Sequence, residues 1–117
     1  MSERAVTFTK AQIAAYAEAS GDHNPIHLDD DSARKVGLPG VIAHGMLQMG
    51  LMATVAAGAA GGGTRLQRLS CRFAGMVVPG DTVTFTAERA GTGKLALRAV
   101  NQRGEPVLTK STAEYSS

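Results

Sequence analysis

Residues 20–27 read SGDHNPIH, setting a carboxylate, Asp22, and an imidazole, His27, five positions apart. A carboxylate and an imidazole facing one another can move a proton in either direction near neutral pH, which is the equipment of general acid–base catalysis. The residues around them suit a stiff connector. Gly21 permits a sharp turn, Pro25 keeps Asn24 extended, and the Asn24 side chain can bond back to its own backbone. Both side chains can then point to one cavity. His23, between them, is read as solvent-facing, and His44 as a packing or hydrogen-bonding residue. A metal centre built from Asp22, His23, His27 and His44 would have suitable donors for zinc or iron, but the spacings match no zinc framework, and no metal is expected.

The elements that must hold this loop can be read from periodicity. Thr9 caps a helix in which Ile13, Tyr16 and Ala17 recur at helical spacing, and Gly21 stops it. A short second helix follows Pro25, with Asp29 to Asp31 at its head, Arg34 and Lys35 at its tail and Gly37 after it. The apolar run over 41–60 becomes helical from about His44. It has nearly the length of a membrane span, yet it holds His44, Gln48 and several glycines, so it is read as a helix wrapped by protein.

In the second half of the chain the period changes to two. Leu69, Cys71 and Phe73 alternate with polar neighbours, as do Val83, Phe85 and Ala87, and then Leu95, Leu97 and Ala99; the last strand is VLTKSTAEY. Gly- and Pro-bearing turns at 78–81, 90–94 and 101–106 suit antiparallel connections, and GAAGGGT over 58–64 is the flexible joint between buried helix and sheet. Cys71 is read as core. Helices first and antiparallel strands after them give an α+β fold, a curled sheet around one long helix, in a single domain over 1–117.

Composition narrows the function. Twelve Lys and Arg against ten Asp and Glu, spread along the chain, give no footprint for nucleic acid. Arg68 and Arg72 share one strand face, with Arg65 before it; they could meet phosphates or an acidic carrier, but a solvated face is the first reading. One cysteine and no leader pattern point to the cytoplasm, with no membrane anchor.

The stretch YAEASGDHNPIHLDDDSA, followed by GVIAHGMLQMG, resembles the MaoC-like hydratase/dehydratase group, which includes R-specific enoyl-CoA hydratases and catalytic subunits of bacterial 3-hydroxyacyl-ACP dehydratases. Its pattern is met by Tyr16, Ser20, Gly21, Asp22, Asn24, Pro25, Ile26, His27 and Ala33, and RFAGMVVPGDTVTF is also similar. The resemblance implies the hot-dog fold and a hydro-lyase that adds water reversibly across the 2,3 double bond of an enoyl thioester. It implies Asp22 and His27 as the catalytic pair, and Gly45 and Asn24 as oxyanion or substrate-binding positions. The Gly45 N–H at the head of the long helix suits developing negative charge, and glycine there leaves room for the thioester oxygen. No cofactor or metal is implied, only coenzyme A or a phosphopantetheine carrier protein as the handle of the substrate. A homodimer, or a heterodimer with a related hot-dog subunit, is expected. One departure is Ala53, where some R-specific hydratases carry serine. Met46, Met49 and Met52 suit either an acyl tunnel or the core. The rivals are a hot-dog thioesterase and a silent acyl-binding subunit.

Overall fold

The computed structural model describes residues 2–62 and 65–116. A strand comes first, β1 (Ser2–Thr7), followed by α1 (Lys10–Ser20), a 3₁₀ turn (Pro25–His27), α2 (Asp30–Lys35) and α3 (Gly45–Ala60). Four strands complete the chain: β2 (Leu66–Phe73), β3 (Thr82–Gly91), β4 (Lys94–Val100) and β5 (Pro106–Tyr115). They form one antiparallel sheet in the order β1-β3-β4-β5-β2. The α3 helix lies against β1, β2, β3 and β4, so the curled sheet wraps the long helix as the periodicity requires.

Two expectations are corrected. Helices do not open the chain, because β1 precedes them and pairs with β3 through Val6 opposite Val83. Its sequence, SERAVT, buries only Val6, so an edge strand of this composition carries almost no alternating signal. Phe73, expected on the buried face with Leu69 and Cys71, is instead 51% exposed. The pairing of β2 with β5 shifts register between Leu66 and Arg68 and again between Ser70 and Arg72. Each irregularity inserts an unpaired residue and breaks the period of two. The joint over 58–64 is in part the last turn of α3, and residues 63 and 64 lie outside the described residues.

The core sits between the wrapped helix and the sheet. Met52, Val55, Ala56 and Ala60 of α3 are buried, as are Val83, Phe85 and Ala87 of β3 and Leu95, Leu97 and Ala99 of β4. Small side chains at Ala56 and Ala60 let the helix approach the strands closely, compensating for the scarcity of aromatic rings. Among the described residues no helix is long and apolar enough to cross a membrane.

Helix ends follow their capping residues. Thr9 accepts from the Gln12 N–H at 3.1 Å, and Gly21 closes α1 in the left-handed region at φ 77°. Asp29 caps α2 by accepting from the N–H groups of Asp31 and Ser32.

One carboxylate ties the helical half together. Asp30 Oδ2 accepts from Lys10 Nζ of α1 at 2.7 Å, while Oδ1 accepts from the Val41 N–H at 2.8 Å in the segment leading to α3. The Lys10 bond, aided by the Val41 N–H, holds the Asp30 carboxyl below its ordinary range. A lowered folded-state pKa contributes stability that is fully present above the ordinary carboxylate range and is lost as pH falls through the lowered value. Thermal unfolding of Asp30→Asn against the parent should therefore show a gap at neutral pH that closes on acidification. A gap independent of pH would contradict the staple.

Candidate active site

The loop after α1 is built from local hydrogen bonds. The Gly21 N–H donates to Ala17 O at 3.0 Å, the Asp22 N–H to Ser20 Oγ at 3.1 Å, and the Asn24 N–H to Asp22 Oδ1 at 3.3 Å. Asn24 Oδ1 accepts from the Ile26 N–H at 3.2 Å and its carbonyl from the His27 N–H at 3.0 Å, so Asn24 starts the 3₁₀ turn that ends on His27. That tie from side chain to backbone is the one expected of Asn24. It commits the side-chain oxygen to the loop.

His27 is 9% exposed, and its Nδ1–H donates to the carbonyl of Ile42 at 2.8 Å. In the neutral ring that bond selects the tautomer with the proton on Nδ1 and makes Nε2 the acceptor nitrogen. Asp22 remains exposed at the surface end of the loop. One potential ligand atom each from Asp22, His27 and His44 falls within 4.8 Å of the others, so the carboxylate and imidazole singled out in the sequence do meet. His23 points away as expected, its Nε2 lying 3.1 Å from Glu18 Oε1 in the exposed region.

His44 joins them from the other half of the site. It is 1% exposed, at the N-cap of α3, and its Nε2–H donates to the Asp22 carbonyl at 3.1 Å. Its ring stacks on His27 with centroids 3.7 Å apart and planes 21° from parallel, and the Tyr16 ring meets it edge-on at 4.8 Å. Tyr16, the aromatic residue of the motif, thus supports the site from α1. His44 Nδ1 and Gln48 Oε1, one helical turn apart, are both buried without a partner among the described residues. Gln48 is visible in the sequence as a polar break in an apolar run, and its nearness to the site comes only from the helix geometry.

The same cluster bears on metal binding. Asp22, His27 and His44 bring together donors of the kind zinc or iron takes, and each imidazole commits one nitrogen to a carbonyl, which leaves the other nitrogen of each ring outside those bonds.

The α3 helix starts at Gly45 with no side-chain capping bond, in contrast to α1 and α2. Its first N–H groups have no acceptor within the helix, and the positive end of the dipole lies there. The Phe73 ring covers Gly45: a Cβ there would stand 3.1 Å from its Cζ and 3.2 Å from both Cε atoms, so a side chain at this position would require the ring to give by a few tenths of an ångström. The three methionines of α3 differ in burial: Met46 is 61% exposed, Met49 is half-buried and Met52 fully buried. Ala53 is half-buried, and Arg65, Arg68 and Arg72 are exposed.

The model of the MaoC like domain matches residues 1–111. The chain belongs to the MaoC-like family. The 3-hydroxyacyl-thioester dehydratase X of Mycobacterium tuberculosis is 40% identical over 102 residues, covering 86% of the chain and 35% of that protein. The solved structure of the (R)-hydratase from A. caviae involved in PHA biosynthesis superposes with a TM-score of 0.78 at 30% identity, covering 95% of the MaoC-like chain and 89% of its own. A MaoC-like dehydratase from Phytophthora capsici superposes with a TM-score of 0.90 at 27% identity, over 98% of this chain and 40% of that one. The MaoC-like chain spans only 6%, 35% and 4% of three curated relatives, a fatty acid synthase subunit beta, the mycobacterial dehydratase and a fungal synthase beta subunit.

Proposed function

We propose that this MaoC-like domain interconverts 2-enoyl and 3-hydroxyacyl thioesters, carried on coenzyme A or on a carrier protein, by adding or removing water. The observation that carries the reading is the His27 Nδ1–Ile42 bond. It leaves the other ring nitrogen outside that bond, in a cluster where one donor atom each of Asp22, His27 and His44 lies within 4.8 Å of the others, next to the head of α3. In the hydration direction the pair binds a water and takes one of its protons as the oxygen bonds to C3. A proton is then delivered to C2, so that H and OH have added across the double bond. Charge developing on the thioester oxygen meets the Gly45 N–H and the dipole of α3. The chemistry calls for no redox cofactor and no Lewis acid. The family match and the relatives' names support hydratase/dehydratase chemistry over hydrolysis.

The domain is proposed to act as a dimer in the cytoplasm. β2 is an edge strand with unpaired backbone groups, and Met46, Phe73 and Met76 are exposed beyond the head of α3, the side on which an acyl chain would lie. A second hot-dog subunit, identical or related, would cover them.

Crotonyl-CoA tests the reaction class. Loss of the absorbance of the conjugated double bond with no thiol released is the expected outcome. Release of free thiol would make the protein a thioesterase, and no change in either signal would make it a silent binding subunit.

A further inference from the structure

His44 transfers no proton in the proposed reaction, yet it is the polar side chain most deeply enclosed beside the reacting pair, at 1% exposure. It touches both members of that pair. Its Nε2–H donates to the backbone carbonyl of Asp22, and its ring face lies 3.7 Å from the ring of His27. The other bonds that shape the Asp22 segment, to Ser20 Oγ and from Asn24 N–H, are local and exposed to water. Exposed bonds of this kind contribute little net order, because water competes for both partners. The His44 bond is part-buried, and among the described residues it is the hydrogen bond that ties the Asp22 carbonyl to the head of α3. His27 is likewise anchored at one nitrogen only, so rotation of its ring about that anchor is opposed by the stacked face of His44. Tyr16 meets the His44 ring edge-on at 4.8 Å and restricts it further.

From this geometry we infer that His44 is the positioning residue of the site: through one N–H and one ring face it sets the separation between Asp22 and His27 and registers both to the Gly45 N–H that follows it in the chain. The inference rests on the reading that Asp22 and His27 handle the protons. It requires a defined tautomer, with the His44 proton on Nε2, since a carbonyl faces that nitrogen. Misplacing a reacting group by about 1 Å costs on the order of a hundredfold in rate while leaving the rest of the substrate's contacts intact. The effect therefore falls on kcat and leaves KM nearly unchanged.

Two substitutions separate the two contacts. His44→Phe keeps a ring against His27 and Tyr16 but removes the donor, and His44→Gln restores a donor at similar reach without the ring. With crotonyl-CoA and the full chain, His44→Phe is expected to lower kcat roughly ten- to a hundredfold with KM within about twofold of the parent. His44→Gln is expected to recover part of that loss. A kcat for His44→Phe within about twofold of the parent, or a change confined to KM, overturns the inference. Should His44→Phe fail to fold, the ¹⁵N imidazole spectrum of the unsubstituted protein decides: a proton on His44 Nε2 supports the role, and a proton on Nδ1 alone removes it. Asp22→Asn and His27→Ala are measured alongside. If these retain turnover the proposed function falls, and the positioning role with it; if they lose turnover while His44→Phe does not, only the positioning role falls.

Discussion

Asp22→Asn and His27→Ala should each reduce hydration of crotonyl-CoA by about 10²–10⁴-fold, the usual contribution of a group that transfers a proton in the transition state. The amide introduced by Asp22→Asn keeps the shape of the side chain and an oxygen able to accept from the Asn24 N–H, which Asp22 Oδ1 now does at 3.3 Å, so the loop should hold its conformation. What it loses is basicity. His27→Ala also removes the donor to Ile42 O, leaving a carbonyl without its partner, and a modest loss of stability is expected beside the loss of rate. The double variant should be scarcely slower than either single one, because groups that act as a unit lose their joint function when one is removed. Steady-state rates with thermal unfolding in parallel check all three points. Single variants retaining most of the parent's turnover would mean that the protons travel by another route.

Phe85→Ala should cost about 3–5 kcal/mol, the range for deleting a buried aromatic side chain. Phe85 is wholly buried at the centre of β3, opposite Arg4 of β1 and Ala99 of β4, on the strand that packs most closely on α3. The chain has three Phe and no Trp, and two of the three, Phe8 and Phe85, are wholly buried. Residues of the same core cluster such as Val55, Ala56 and Val83 are too short to refill the volume, so a cavity is expected to stay. Against a typical domain stability of about 5–15 kcal/mol this is a large fraction. Urea unfolding should show a lowered midpoint at an unchanged slope. A loss below about 1 kcal/mol would place the ring outside the load of the core.

Much of this architecture is legible in the residues. Thr9 and Gly21 mark α1 because a hydroxyl cap and a left-handed residue are local requirements, satisfied within a few positions. The strands β3 and β4 show themselves through alternation, since each has one face on the helix and one in solvent. The stiffness of the Asp22–His27 loop is also local, built by Gly21, Asn24 and Pro25. Long-range features are not legible. Val6 alone marks β1 as a strand, and the bulges that turn Phe73 outward depend on pairing with β5, more than 30 residues later in the chain. The contact of His44 with Asp22 spans 22 positions and arises only when the head of α3 meets the loop, so no spacing rule announces it.

The measurement closest to the central claim is a crystal structure of Asp22→Asn soaked with crotonyl-CoA. The account predicts the thioester oxygen about 3 Å from the Gly45 N–H, with C3 of the acyl group between the side chains at 22 and 27. A thioester seated elsewhere would contradict it, for instance in the cleft of about 410 Å³ lined by Ala60, Arg65 and Tyr115 at the far end of α3.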